Sequence, residues 1–168
     1  MSDALRVLPS RFGRIGVVAS ELGISRCWLP SALAADARDA SFAQGNLSVA
    51  QDALLTRAVT ELEEFLSGRR REFSVPLDWK HASVGFAGEV QRALRQIPYG
   101  ETESYGNLAA RLQRPGAARA VGTACGKNPL PLFAPCHRVI RAGGEIGLYG
   151  GGEALKRALL ELEAVATA

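Results

Sequence analysis

"SYGNLAARLQRPGAARAVGTAC", residues 104–125, holds two helical stretches separated by a break. Ser104 is suited to N-cap the first, which is predicted to run through Leu112. Pro115 is suited to be the first residue of the second, which is predicted to run to about Cys125. Two helices joined by so short a break predict a helix-turn-helix. In the second helix, Ala118, Val121, Gly122 and Cys125 share one face, suited to packing. The opposite face carries Gly116, Ala120, Thr123 and Lys127, with Arg119 at its flank. A solvated face ordinarily carries long charged side chains. A helix with side chains is about 10–12 Å across, and the minor groove of DNA is about 6 Å wide. A face stripped to Gly, Ala and Thr can come near such a groove.

Downstream, "LFAPCHRVIR" (132–141) sets Cys136 between Pro135 and His137. Pro135 fixes φ and removes a backbone donor, so the thiol sits at a defined point in the chain. Histidine exchanges protons near neutral pH, and the charge of Arg138 favours thiolate. Together these describe a nucleophile. In a strand, neighbouring side chains point to opposite faces. Either the chain turns at Cys136 or a bridging group such as water links it to His137. Cys125, on a helical stripe, and Cys27, in a strand, read as core.

Upstream, Ile15–Ala19 and Ile24–Leu29 read as a hairpin with "SELG" as its turn. The Ala-rich stretch 31–46 reads as a loop or a poor helix. Residues 47–68 carry Leu54, Leu55, Ala58, Leu62, Phe65 and Leu66 at a period near 3.6 and predict a helix stopped by Gly68. "RRREFSVPLDW" (69–79) predicts a short strand interrupted by Pro76, and "KHASVG" (80–85) a linker. Val90, Ala93, Leu94 and Ile97 predict a further helix. A glycine-rich turn region then leads into a final helix on Leu155, Leu159 and Leu162.

The 168 residues suffice for one large domain or two small ones. No apolar run reaches the roughly 20 residues of a membrane span, and the N-terminus shows no signal-peptide pattern. Three cysteines without a C-x-x-C pair point to a reducing, cytoplasmic compartment. Two histidines and scattered thiols predict no metal site. The net charge of +3 permits nucleic acid without requiring it. Its distribution says more: Arg111, Arg114, Arg119, Lys127, Arg138 and Arg141 follow one another with no acid between them.

"IPYGETESYGNLA" (97–109), "RPGAARAVGTACGKNPLP" (114–131), "PCHRVI" (135–140), "LYGGG" (148–152) and "KRALLELE" (156–163) occur in this order. The chain resembles the O6-alkylguanine-DNA alkyltransferase family, densely over residues 86–163 and more loosely before that. The resemblance implies an α+β chain: a small N-terminal ribonuclease-H-like α/β domain (1–80) with a short antiparallel sheet, then a mainly helical, winged-helix-like domain (81–168). It implies irreversible transfer of the alkyl group from O6-alkylguanine, with O4-alkylthymine as a second candidate, to Cys136, once per molecule, after the base is flipped through the minor groove.

The resemblance also implies roles. His137 would act on Cys136 through water, and Glu163 would orient His137. Asn128 would brace the turn before the site. Tyr105 would donate to guanine N3, and Arg119 would enter the stack in place of the base. Gly116, Ala120, Thr123 and Lys127 would contact DNA. Val139 and the Cys136 carbonyl would read the exocyclic amine, and Tyr149 and Gly150 would stand near the alkylated oxygen. The expected partner is double-stranded alkylated DNA, met by a monomer without cofactor or membrane. Three positions depart from the family pattern: Ala87 and Gln91, where Gln and Trp are usual, and Arg141, where small residues are common. A DNA-binding relative without transfer, a plain helix-turn-helix regulator and a cysteine hydrolase are the competing readings. Each leaves the Cys136–His137 pair unused or needs a distant base.

Overall fold

Three strands near the N-terminus, β1 (Ala4–Ser10), β2 (Gly13–Ala19) and β3 (Ile24–Trp28), form an antiparallel sheet in the order β1-β2-β3. The computed structural model describes residues 2–36 and 46–168 of the chain. Two compact units divide it, Met1–His81 and Ala82–Ala168.

In the first unit, α1 (Pro30–Asp36) and α2 (Val49–Leu66) both pack on β2. Gly16 lets α1 come close, since a Cβ there would meet the Leu33 side chain at 2.9 Å. Packing by both helices accounts for the unbroken burial of Ile15–Ala19, where a half-exposed strand would alternate. The hairpin and the α2 helix follow the sequence reading. Ser48 and Gln51 cap α2 reciprocally, and Gly68 takes φ +77° just past its end. Of the stretch 31–46, the first part is helical in α1, and residues 37–45 lie outside the described residues.

Two readings need correction in this unit. The sequence analysis assigned no strand to β1, which contains Pro9; as an edge strand, β1 tolerates it. Residues 69–79 make no strand but a single bridge. Ile24 N donates to Pro76 O (2.9 Å) and Asp78 N donates to Ile24 O (2.8 Å). Pro76, lacking an N–H, contributes only its carbonyl.

The second unit comprises α3 (Gly85–Ala93), continued as a 3₁₀ turn over Leu94–Gln96, then α4 (Tyr105–Arg111), α5 (Ala118–Gly126) and α6 (Glu153–Thr167). α5 packs against α3 and α4. Gln91 is fully buried. It accepts from Ser83 N (2.9 Å) and donates to Ser83 Oγ (2.9 Å) and Ala124 O (3.1 Å), so its buried amide is satisfied on both sides. Two short strands, β4 (Glu103–Ser104) and β5 (Val139–Ile140), pair in parallel, Glu103 with Val139 and Ser104 with Ile140. This pairing sets the start of α4 beside the Cys136 segment.

The helix-turn-helix is present as α4 and α5, and Ser104 Oγ accepts from Asn107 N (3.0 Å) as its cap. Pro115 is not the first residue of α5. Gly116 takes φ +87°, which no helix interior accommodates, so residues 112–117 form the turn and α5 begins at Ala118. The phase of α5 also differs. Val121 and Ala124 are its buried residues, and Gly122 and Cys125 turn toward a cavity. No helix among the described residues is long and apolar enough to cross a membrane.

Candidate active site

Cys136 opens a 3₁₀ turn, Cys136–Arg138, so the chain turns where strand geometry would have parted its side chains. Asn128 shapes the approach. Its Oδ1 accepts from Leu130 N (3.1 Å) and its Nδ2 donates to Ala134 O (2.9 Å). Inside that loop Leu132 holds φ +75°, a strained conformation for a bulky residue. The strain persists because Asn128 and the Ala134 N to Leu130 O bond (2.8 Å) fix the backbone on either side.

Cys136 lies on the wall of a cavity of about 810 Å³, a size suited to a small-molecule-sized group. Ala118, Arg119, Gly122, Thr123, Cys125 and Gly126 of α5 form one side. Tyr105, Arg141, Leu148, Tyr149 and Gly150 also line it. Of the sequence-predicted residues, Cys136, Tyr105, Arg119, Thr123, Tyr149 and Gly150 therefore meet at one cavity. His137, Glu163, Asn128 and Val139 lie behind its wall. Gly116, Ala120 and Lys127 are exposed around α5, off the cavity.

Behind Cys136, Glu163 is 1% exposed and gathers three donors. His137 Nε2 lies 2.5 Å from its carboxylate, Arg138 Nε donates at 2.9 Å, and Gly100 N donates at 2.9 Å. Arg138 also donates to Ile97 O (2.7 Å). Burial pushes the Glu163 carboxyl up, but these bonds and charges outweigh it and hold it down to about 2. An ionised Glu163 accepts from Nε2, which leaves Nδ1 as the proton-accepting nitrogen of the neutral ring. His137 is neutral because burial lowers its pKa.

Arg138 therefore does not serve Cys136, as the sequence reading had it; its guanidinium is committed to Glu163. The cation beside the thiol is Lys156, which the sequence reading passed over. It is fully buried, and its Nζ donates to Val139 O (2.5 Å), Leu148 O (3.3 Å) and Tyr105 Oη (3.4 Å). The Tyr105 and Tyr149 rings lie 5.6 and 6.0 Å from it. Lys156, Leu159 and Glu163 are the buried residues of α6, a stripe at i, i+3 and i+7. That spacing is visible in the sequence, but the sequence reading placed the stripe on Leu155, Leu159 and Leu162 and gave Lys156 no role. Leu155 and Leu162, taken for the stripe, are half-buried.

Burial raises the Cys136 thiol, while a hydrogen bond from Asn128 and the charge of Lys156 work against that rise. Lys156→Met, which keeps the stem and removes the charge, is expected to move the alkylation of Cys136 by iodoacetamide to higher pH. An unchanged pH profile would mean that the ammonium is not felt at the sulfur. Among the described residues no group of three or more His, Cys, Asp or Glu could hold a metal ion.

Residues 85–165 match the model of the 6-O-methylguanine DNA methyltransferase DNA binding domain, and residues 5–79 that of the same family's ribonuclease-like domain. A methylated-DNA–protein-cysteine methyltransferase of Mycobacterium tuberculosis is 52% identical over 106 residues, which are 63% of this chain and 63% of the relative. The inducible one of Bacillus subtilis is 42% identical over 71% of this chain and 65% of its own length. The matched stretch thus spans less than two thirds of these relatives. A crystal structure of Mycobacterium tuberculosis OGT in complex with DNA superposes with a TM-score of 0.83 at 37% identity, covering 97% of this chain and 94% of that one. In sequence over both units and in fold, the chain belongs to the 6-O-methylguanine DNA methyltransferase family.

Proposed function

We propose that the chain repairs DNA directly, by moving the alkyl group of O6-alkylguanine onto Cys136. The observation that carries the proposal is the thiol itself. It lies on the wall of a cavity with room for a purine base, with Lys156 and Asn128 favouring thiolate and a neutral His137, held by Glu163, behind it.

The reaction is a displacement at carbon. His137 takes the thiol proton, through water as the resemblance implies. The thiolate pair forms the S–C bond as the C–O bond breaks, and the released pair goes to guanine O6. Donors at the base relieve that charge. Burial raises the Tyr105 hydroxyl above its ordinary pKa, so it stays a donor, and the resemblance implies guanine N3 as its acceptor. Without a base it donates to Leu148 O (3.4 Å). Gly150 lines the same cavity, and the resemblance implies its N–H as a donor near O6. A thioether has no path back to thiol here, so each molecule reacts once. O4-alkylthymine presents the same alkyl–oxygen bond and is a second candidate substrate. The chain acts as a cytoplasmic monomer on double-stranded DNA.

The target oxygen lies inside the duplex, so the base must be extruded. Arg119 is exposed on the first turn of α5 at the cavity's edge, where it can enter the stack. Losing such a wedge restores part of an unstacking cost of a few kcal/mol. Arg119→Ala is expected to lower the ratio of duplex to free-base reaction rates by about 30-fold, equivalent to about 2 kcal/mol. Equal slowing on both substrates would remove the wedge role.

The deciding experiment incubates the protein with a duplex bearing radiolabelled O6-methylguanine. Label should stay on the denatured protein, with a mass gain of one CH₂ and a ceiling of one per molecule. DNA binding without label would instead make the chain a damage-binding protein.

A further inference from the structure

A second cation stands on the cavity rim. Arg141 follows β5 and opens a tight turn in which Arg141 N donates to Glu145 O (2.9 Å) and Gly144 N donates to Arg141 O (2.9 Å). Its side chain is 57% exposed, with Nη1 3.3 Å from the carboxylate of Glu145, itself 73% exposed. Its stem lies over Gly147. A Cβ at that glycine would meet the Tyr105 hydroxyl at 3.1 Å and Arg141 Cγ at 3.5 Å. Tyr105 and Arg141 therefore stand over the same glycine, side by side at the mouth.

The chemistry of guanine says what lies there. N3 sits on the ring edge next to N9, the atom that bears the sugar. A hydroxyl donating to N3 stands beside that sugar, and a neighbour on its outward side meets the phosphates the sugar carries. We propose that Arg141 binds a phosphate adjoining the extruded nucleotide and that Glu145 holds the guanidinium until DNA arrives. The inference rests on the reading of Tyr105 given under Proposed function. An exposed ion pair is worth little, whereas a guanidinium binds phosphate with two parallel, charge-assisted bonds. Phosphate therefore displaces Glu145 readily, and the freed carboxylate, mostly in water, loses little.

Binding of a duplex containing O6-methylguanine, followed across a salt series in the Cys136→Ala background, tests this without turnover. Arg141→Ala should lower the slope of log affinity against log salt by about 0.9 and weaken binding roughly tenfold near 0.1 M salt, the salt-dependent loss of one phosphate contact. Arg141→Lys should keep the slope. Glu145→Gln should tighten binding, and the gain should shrink when Arg141 is also alanine. An unchanged slope in Arg141→Ala, or weaker binding in Glu145→Gln, overturns the assignment. Label transfer by the wild type is scored separately, so a chain that binds with this salt dependence yet transfers nothing sinks the proposed reaction and leaves the phosphate contact standing.

Discussion

Cys136→Ala is expected to transfer no label, while binding DNA undiminished. The argument is one of elimination among three thiols. Cys27 lies in β3 at 3% exposure, inside the core of the first unit. Cys125 is the serious rival, since it lines the same cavity. Burial, and then the neighbouring Cys136, push its pKa up to about 12. A thiol so raised carries little thiolate, the reactive form, at neutral pH, and unlike Cys136 it has no hydrogen bond from Asn128 working against the rise. Removing Cys136 lifts the lesser of those two influences and leaves the burial. Label on Cys125 in this variant, found by peptide mapping after tryptic digestion, would overturn the assignment.

Glu163→Gln is expected to cost about 3–5 kcal/mol of stability, the usual consequence of leaving one partner of a buried pair uncompensated. Arg138 would then be buried, 6% exposed, with no counter-charge. The rate should change in a way that stability alone does not dictate. Glu163 raises the pKa of His137 against the dominant effect of burial. Without that charge the imidazole stays neutral to lower pH. The acid limb of the transfer-rate profile should therefore move down in pH even as the rate falls. A slower enzyme with an unmoved limb would reduce Glu163 to a scaffold.

The stability of the wild type should fall with acid in two stages. The folded pKa values of His137 and Glu163 are both lowered, so each contributes stability above its unfolded pKa and loses it as pH falls. For His137 the loss begins below about 6.5. For Glu163 it runs from about 4.3 down to the folded value of about 2. Glu163→Gln should lack the second stage in a denaturation series taken against pH.

What could be read from the sequence followed where local chemistry is strong. Ser104 as a cap, Gly68 as a stop and the period of α2 all act through nearest neighbours, and each helix is where they put it. The phase of α5 did not follow, because Gly, Ala and Cys carry too little apolar area to mark a face. Pro115 was placed by preference alone, and the left-handed Gly116 beside it overruled that preference. In the candidate site, Cys136 announced itself by its neighbours in the chain. Lys156 did not, since what makes it part of the site is β5 carrying the Val139 carbonyl to it. The role of Arg138 was misjudged for the same reason, its partner lying 25 residues away.

The charged stripe on α6 also limits how that helix can dock at all. Leucines at 155, 159 and 162 make an apolar surface that another leucine-lined groove could meet in more than one way. A slide of one helical turn, about 5.4 Å, costs such a surface little. Lys156 and Glu163 remove that freedom, because a slid helix would carry both away from the Val139 carbonyl and the Arg138 guanidinium at once. Of the registers that oily contact alone would permit, one is left with its charges answered, and the competing minima rise out of reach.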